Sequence, residues 1–171
     1  MIYTIGHSTR TAEAFLELLT AHGIGQLSDV RTIPRSARHP QFSSEALASF
    51  LAQHGIVYRH FPGLGGLRKP KPSSTNTAWR NDAFRGYADY METTAFREAL
   101  DTLLRFAAQA PTTVMCAEAV WWQCHRRLLA DALLVRGVPV RHILGLQEAK
   151  PHELSEFARA VGGGVTYPGL L

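Results

Sequence analysis

Two cysteines and several ionisable side chains are concentrated in one short segment of the chain. The segment reads Met-Cys-Ala-Glu at 115–118 and Trp-Trp-Gln-Cys-His-Arg-Arg at 121–127. Residues 112–115 have the composition of a buried strand, and the apolar residues between 128 and 133 recur at helical spacing. Ligands bind outside the carboxyl ends of the strands in open α/β sheets. This junction between a strand and a helix is therefore the first candidate for a reactive site.

Cys124 is the leading candidate for a nucleophile or a redox thiol. The sequence places it in the first turn of a helix, where the helix dipole lowers the pKa of a thiol. His125 and Arg126 favour the thiolate in the same way. Cys116 ends a strand of the buried type, where a cysteine can serve equally well as a small apolar core residue.

Glu118 follows the same strand, and a carboxylate at the mouth of a buried strand needs either a cation or a catalytic role. It would pair with Arg126 or Arg127, or it would act as a general acid or base. Metal binding fits less well, because the chain has no Cys-x-x-Cys or His-Glu-x-x-His spacing. No metal site is predicted, and no cofactor can be assigned.

Polar residues also follow the first two predicted strands. The segment Gly-His-Ser-Thr-Arg at 6–10 lies just before a predicted helix, as in an anion cradle, and alternate residues of Asp-Val-Arg at 29–31 share one face of a strand. Asp29 and Arg31 either pair with each other, or Arg31 holds an anion while Asp29 orients a neighbour. Glycines are too few for a dinucleotide fingerprint or a P-loop. The candidate anion-binding residues of these segments are His7, Ser8, Arg10, Asp29, Arg31 and Ser36.

The elements that position these residues follow from a repeated boundary. His22-Gly23, His54-Gly55 and Arg136-Gly137 each precede a β-branched residue, a pattern typical of a helix that ends before a strand. The predicted strands are 2–6, 26–33, 57–61, 112–115 and 140–144, with a last helix at 153–160 and a short edge strand at 165–167. Alternating strands and helices predict a single α/β domain, 1–171, with three αβα layers and a mostly parallel, Rossmann-like sheet of about five strands in unknown order.

A long segment at 63–82 interrupts this alternation. It is rich in Gly, Pro and Ser and has no apolar periodicity, so it is predicted to be a loop. Long loops in compact domains often act as lids or binding segments. Gly65, Gly66 and Lys69 would close over an anionic substrate.

Composition sets the class of the protein. The chain has 171 residues, of which 46% are hydrophobic, and its net charge is +4 with a pI near 9.4. We expect one soluble domain in the cytoplasm, because the sequence has neither a signal peptide nor a membrane span. Two cysteines in a reducing compartment are expected to be free thiols. The positive charge favours anionic partners, such as a small molecule or a nucleic acid.

Four short motifs in a fixed order resemble the domain of unknown function 488 (DUF488) family. They are Thr-Ile-Gly-His-Ser at 4–8, Asp-Val-Arg at 29–31 with Pro34 and Ser36, Leu-Gly-Gly at 64–66, and Cys-Ala-Glu at 116–118 with Cys-His-Arg at 124–126. The resemblance implies a small cytosolic α/β protein, presumed to be an enzyme because its shared polar residues include cysteine, glutamate and histidine. It implies no substrate.

Two functions from different classes follow from these residues. In the preferred one, an enzyme of unknown reaction acts on an anionic, phosphate-bearing substrate, which could be a nucleotide or a nucleic acid. Cys124 would be its nucleophile or redox thiol, Glu118 or His125 would move protons, and Arg31 and Arg126 would hold the anion. In the alternative, the chain binds nucleic acid without catalysis, and Trp79, Trp121 or Trp122 stack bases. The oligomeric state cannot be predicted.

Overall fold

The computed structural model describes residues 1–170, and its centre is a sheet of six strands. The strands of this sheet are β1 (Ile2–Gly6), β2 (Gln26–Asp29), β3 (Val57–His60), β4 (Thr112–Cys116), β5 (Val140–His142) and β6 (Lys150–Pro151). Their order is β3-β2-β4-β1-β5-β6. All neighbouring strands are parallel except β5 and β6. The predicted α/β fold with a mostly parallel sheet is confirmed, with six strands rather than about five.

Five helices cover the two faces of the sheet. They are α1 (Ala12–Ala21), α2 (Ser44–Ala52), α3 (Asp82–Met91), α4 (Thr94–Ala107) and α5 (Arg126–Val135). Helices α1 and α2 share a buried cluster with Ile5 and Met115, whereas α3, α4 and α5 share the opposite cluster with Val114. Because successive strand residues point to opposite faces, Val114 and Met115 mark the two sides of the sheet. The result is the expected three-layer arrangement.

Local capping defines the helix ends. The side chains of Thr11 and Thr93 accept hydrogen bonds from the first turns of α1 and α4, which satisfies donors that have no partner within the helix. After α1, α2 and α5, the glycines predicted to end the helices have positive φ angles, between 67° and 80°. This left-handed conformation suits glycine at the end of a helix.

The predicted helix at 153–160 is wrong. Residues 153–158 form neither a helix nor a strand, and β7 (Arg159–Val161) pairs antiparallel with β8 (Gly164–Thr166) in a separate hairpin. Gly162 and Gly163 have φ angles of 56° and 79°, as the two central residues of a type I′ turn require. The backbone N–H of Ser155 donates to the buried carboxylate of Asp131. Tertiary contact and turn geometry therefore prevail over a short amphipathic pattern.

The segment predicted as a long loop contains one short 3-10 helix, Pro62–Leu64, and then no helix or strand before α3. It is anchored rather than loosely attached. The Asp89 carboxylate accepts hydrogen bonds from Lys71 N at 2.8 Å, Ser74 Oγ at 2.7 Å and Asn76 Nδ2 at 2.7 Å. Asn76 and Trp79 are buried. The function of this segment as a lid stays a prediction.

Candidate functional site

The carboxyl ends of β1 and β4 meet at the centre of the sheet. Gly6 is paired with Cys116, and beyond the strands His7 N donates to Cys116 O and Ser8 N to Ala117 O, each at 2.9 Å. A side chain at residue 6 would collide with the backbone of Glu118, so the two loops leave the sheet in direct contact. The helices that follow β1 and β4 lie on opposite faces of the sheet. In open α/β sheets, adjacent strands of this kind form the crevice where ligands bind.

The two cysteines lie together behind this crevice. Their Sγ atoms are 2.8 Å apart, and both residues are free cysteines. Cys116 ends β4, whereas Cys124 lies two residues before α5. The sequence had predicted Cys124 in the first turn of that helix. The helix still contributes, because Arg126 N lies 3.4 Å from Cys124 Sγ and donates to it. Cys124 is only 8% exposed, so the pair is nearly closed to solvent.

The surroundings of the two sulfurs assign different protonation states to them. The hydrogen bond from Cys116 holds the pKa of Cys124 well below the ordinary value of a thiol, with further lowering by His125 and Arg126 that outweighs burial. Burial raises the pKa of Cys116 well above that value, and its hydrogen bond to Cys124 acts in the same direction. These opposite shifts favour a thiolate at Cys124 that accepts a hydrogen bond from a thiol at Cys116.

His125 is oriented to exchange a proton with Cys124. Its Nε2 lies 2.9 Å from the carbonyl oxygen of Val30, which requires a proton on Nε2. Its Nδ1 faces Cys124 Sγ at 3.5 Å, where it can take the proton of the thiol and then donate that proton back to the thiolate as a hydrogen bond. The ring also packs against Gly66, where a Cβ would lie 3.1 Å from Nδ1. Gly66 is held in place because its carbonyl accepts from Thr32 Oγ1 at 2.8 Å.

Arg126 is a buried cation, 1% exposed, beside the thiolate. Its guanidinium donates to Glu118 O at 2.5 Å and to Thr4 Oγ1 at 3.2 Å. Within residues 1–170 it forms no ion pair with a carboxylate, and its Nε has no hydrogen-bond partner. Ionisation of the neighbouring Cys124 would place a negative charge close to this cation. Arg10 is a second cation at this edge, and burial together with the neighbouring Arg126 lowers its pKa.

A hydrogen-bonded chain extends from Arg126 into the protein, and sequence reasoning missed it. Thr4 Oγ1 lies 2.6 Å from His142 Nδ1, His142 Nε2 lies 2.9 Å from His152 Nδ1, and His152 Nε2 lies 2.7 Å from Asp131 Oδ1. Because a carboxylate only accepts hydrogen bonds, His152 must donate to Asp131. Each earlier residue then donates to the next one: Arg126 to Thr4, Thr4 to His142, and His142 to His152. Burial, then His152 and Arg126, lowers the pKa of His142 to about 3, so its ring is neutral.

The predicted pair Asp29 and Arg31 forms a buried ion pair at 2.7 Å. Arg31 also donates to Phe42 O at 2.7 Å and lies 3.3 Å from His7 Nε2. Asp29 also accepts from Tyr58 Oη at 2.5 Å. Burial lowers the pKa of His7 to about 4, with a further contribution from Arg31. Most donors of Arg31 are thus already used within the protein.

An open cleft of about 480 Å³ lies over the crevice. His7 and Ser8 form one wall, Glu118 forms another, and Ser36 and Arg38 complete it. The side chain of Glu118 is exposed, and it forms no hydrogen bond or ion pair with another residue of the described chain. Only its backbone carbonyl contacts Arg126 and Cys116. The carboxylate is therefore placed to meet a ligand in the cleft rather than the buried thiols.

The remaining predicted residues lie at the margins. Gly65 packs closely against Thr32, whereas Lys69 is exposed. Trp121 stacks on His142 with ring centroids 4.1 Å apart, and Trp122 is 44% exposed. Within residues 1–170, no helix is long and apolar enough to cross a membrane, and no group of three or more His, Cys, Asp or Glu side chains is arranged to bind a metal ion.

Comparison with known proteins gives one match. Residues 11–133 match the family model described as domain of unknown function DUF488, a range that includes both cysteines but begins after β1. Neither the curated proteins nor the solved structures include a match to this chain.

Proposed function

The chain belongs to the DUF488 family, and we propose that it is an enzyme in which the Cys124 thiolate attacks an anionic substrate bound at the cleft between β1 and β4. One observation supports the proposal above the others: Cys124 Sγ lies 2.8 Å from a thiol donor and 3.5 Å from a histidine nitrogen that can accept its proton. A thiolate, rather than a thiol, is the nucleophile in cysteine enzymes.

The charges around the cleft favour a negatively charged substrate. Arg38 is exposed at the cleft, and Arg10 and Arg126 lie near each other without a carboxylate between them. Uncompensated positive charge of this kind raises the local concentration of anions. It does not discriminate between phosphate and carboxylate. Arg31 contributes less than the sequence suggested, because Asp29 neutralises it.

Each catalytic residue then has a defined task. His125 accepts the proton of Cys124 at Nδ1 and returns it to the leaving group, while Val30 O keeps the proton on Nε2. Cys116 donates to the thiolate and lowers its pKa. The predicted cytoplasmic location would keep both sulfurs reduced. Glu118 is proposed to contact the substrate, because it lines the cleft and its side chain is exposed.

The alkylation rate of each cysteine by iodoacetamide, measured across pH by peptide mass spectrometry, tests the nucleophile. Cys124 should react with a midpoint well below the reference value near 8.5, and Cys116 should stay unreactive. Inorganic phosphate or pyrophosphate should slow the alkylation of Cys124 in the wild type and less so in Arg38→Gln. Arg35→Gln, which removes an exposed cation outside this cleft, is the matched control. Two slow cysteines at every pH would refute the proposal.

Binding of nucleic acid without catalysis is the second candidate, favoured by the net charge of +4 and by the exposed Trp122. Trp79 is only 6% exposed and Trp121 stacks on His142, so two of the three tryptophans are occupied within the protein. This function predicts an affinity for single-stranded oligonucleotides that falls steeply with salt and is unchanged in Cys124→Ser. Binding lost in that variant would contradict it.

A further inference from the structure

We propose that Cys116 and Cys124 together form a dithiol that reduces hydroperoxides, with Cys124 as the attacking sulfur and Cys116 as the resolving sulfur. The proposal rests on the reactive thiolate proposed above and adds the partner sulfur and the chemical class of the oxidant. The two Sγ atoms are 2.8 Å apart, whereas a disulfide bond is about 2.05 Å long. A small displacement of the sulfurs therefore suffices to join them.

Access to the sulfur selects the oxidant. Cys124 is 8% exposed and Cys116 is 3% exposed, and the neighbouring cleft is lined by residues 117–119 rather than by either sulfur. Tyr87 and His125 pack against each other beside Cys124, with ring centroids 5.1 Å apart. A sulfur so enclosed should react slowly with a bulky disulfide, whereas hydrogen peroxide is hardly larger than water. Burial therefore favours a peroxide over a large electrophile.

The reaction balances with groups that are present. The Cys124 thiolate attacks one peroxide oxygen, the O–O bond breaks, and the departing oxygen takes a proton from His125 to leave as water or an alcohol. Cys124 is then a sulfenic acid. The sulfur of Cys116 attacks it, the S–O bond breaks, and the proton of Cys116 leaves with the hydroxyl as water. The product is a disulfide, which an external dithiol reduces.

Arg126 determines how readily this disulfide is reduced. In the dithiol state, the Cys124 thiolate offsets the buried guanidinium, which has no carboxylate partner in residues 1–170. Formation of the disulfide removes that negative charge and leaves Arg126 uncompensated. A stabilised thiolate makes the corresponding disulfide more oxidising. The pair should therefore return to the dithiol with a mild reductant, which allows turnover.

The test is a stopped-flow reaction of the reduced protein with one equivalent of hydrogen peroxide. We expect the wild type to lose both thiols and form a Cys116–Cys124 disulfide, seen by mass spectrometry, at least about tenfold faster than the thiolate of free cysteine, as a charge-assisted hydrogen bond to the leaving oxygen would give. Dithiothreitol should restore both thiols. Cys116→Ser should stop at a Cys124 sulfenic acid that dimedone traps, and Cys124→Ser should not react. Oxidised glutathione, a bulky disulfide, should react slowly with the wild type.

The outcomes separate this inference from the proposed enzyme. A sulfenic acid in Cys116→Ser without a disulfide in the wild type would overturn the resolving role of Cys116 and leave the nucleophile in place. Oxidation no faster than that of free cysteine, with Cys124 still alkylated at low pH, would overturn the peroxide reaction alone. A Cys124 that neither alkylates nor oxidises would overturn both.

Discussion

The hydrogen-bonded chain from Arg126 to Asp131 predicts opposite results for two substitutions of similar size at one buried residue. His152 has a fully buried side chain and joins His142 Nε2, at 2.9 Å, to Asp131 Oδ1, at 2.7 Å. His152→Leu removes both connections. Gln places an amide oxygen and an amide nitrogen about as far apart as the two ring nitrogens, so His152→Gln can accept from His142 and donate to Asp131.

The magnitude follows from the atoms left without a partner. His152→Leu leaves the buried N–H of His142 unsatisfied, at about 1–3 kcal/mol, and removes a hydrogen bond to a carboxylate worth about 1.5–3 kcal/mol. Asp131 keeps Ser155 N and Tyr167 Oη as donors. The sum is roughly 2.5–6 kcal/mol of unfolding free energy. For a domain of this length that corresponds to a fall in Tm of roughly 5–24 °C.

Urea denaturation and thermal melts of the wild type and both variants measure this effect. His152→Gln should retain most of the unfolding free energy that His152→Leu loses. The same pair should differ in function, since the chain orients Arg126: the pH midpoint for alkylation of Cys124 should rise in His152→Leu and stay close to the wild type in His152→Gln. Equal losses of stability in the two variants would mean that packing volume, and not hydrogen bonding, is what His152 contributes, and the fixed donor direction would be refuted.

Three further predictions concern other parts of the molecule. Cys116→Ala should lower the thiolate-to-thiol ratio of Cys124 about tenfold or more at a given pH, because it removes a hydrogen bond to a charged group worth about 1.5–3 kcal/mol. Cys116→Ser keeps a hydrogen-bond donor and should lower the ratio less. Alkylation profiles measure both variants, and a Cys116→Ala profile equal to that of the wild type would contradict the assignment. Burial lowers the pKa of His7 from 6.5 to about 4 and that of His142 from 6.5 to about 3. The unfolded chain therefore binds more protons than the folded protein below pH 6.5, and each histidine should lower the unfolding free energy by about 3 kcal/mol by pH 4. An unfolding free energy that stays constant in urea titrations at pH 7, 5.5 and 4.5 would refute this. Asp89→Ala should make residues 70–76 a preferred site of limited proteolysis, since the Asp89 carboxylate accepts three hydrogen bonds from that segment. A cleavage pattern unchanged from the wild type would show that other contacts anchor the segment.

The sequence predicted best those features that depend on local physics. Apolar runs and glycine caps predicted the five parallel strands and the three helix ends, because hydrophobic periodicity and the left-handed conformation are decided within a few residues. The same reasoning brought His7, Asp29 and Cys116 to one edge of the sheet. It was wrong at 153–160, where the chain leads into a hairpin that turns at Gly162 and Gly163. Strand order could not be predicted, because each crossover is long enough to reach several neighbours.

The site was predicted in composition but not in connectivity. Residue types alone pointed to Cys124 and His125, yet the 2.8 Å contact between the sulfurs depends on how far α5 begins beyond β4. The chain through His142 and His152 joins residues far apart in sequence, and Thr4 and His142 are separated by 138 positions. One signal was available: Asp131 lies on the apolar side of the predicted helix at 128–133, where a carboxylate requires a partner.

The two buried arginines give the reason for proposing the reactive centre at Cys124 rather than at Arg31. Arg31 is neutralised by Asp29 whatever the state of its surroundings, so its charge is fixed within the ion pair. The guanidinium of Arg126 donates to carbonyl and hydroxyl oxygens and has no carboxylate partner within residues 1–170. A thiolate at Cys124 would offset its charge. Alkylation, acylation or oxidation of that sulfur would therefore remove a negative charge beside Arg126. In the proposed enzyme, an anionic substrate in the neighbouring cleft would replace that charge, so that substrate binding and thiol chemistry would be coupled through Arg126.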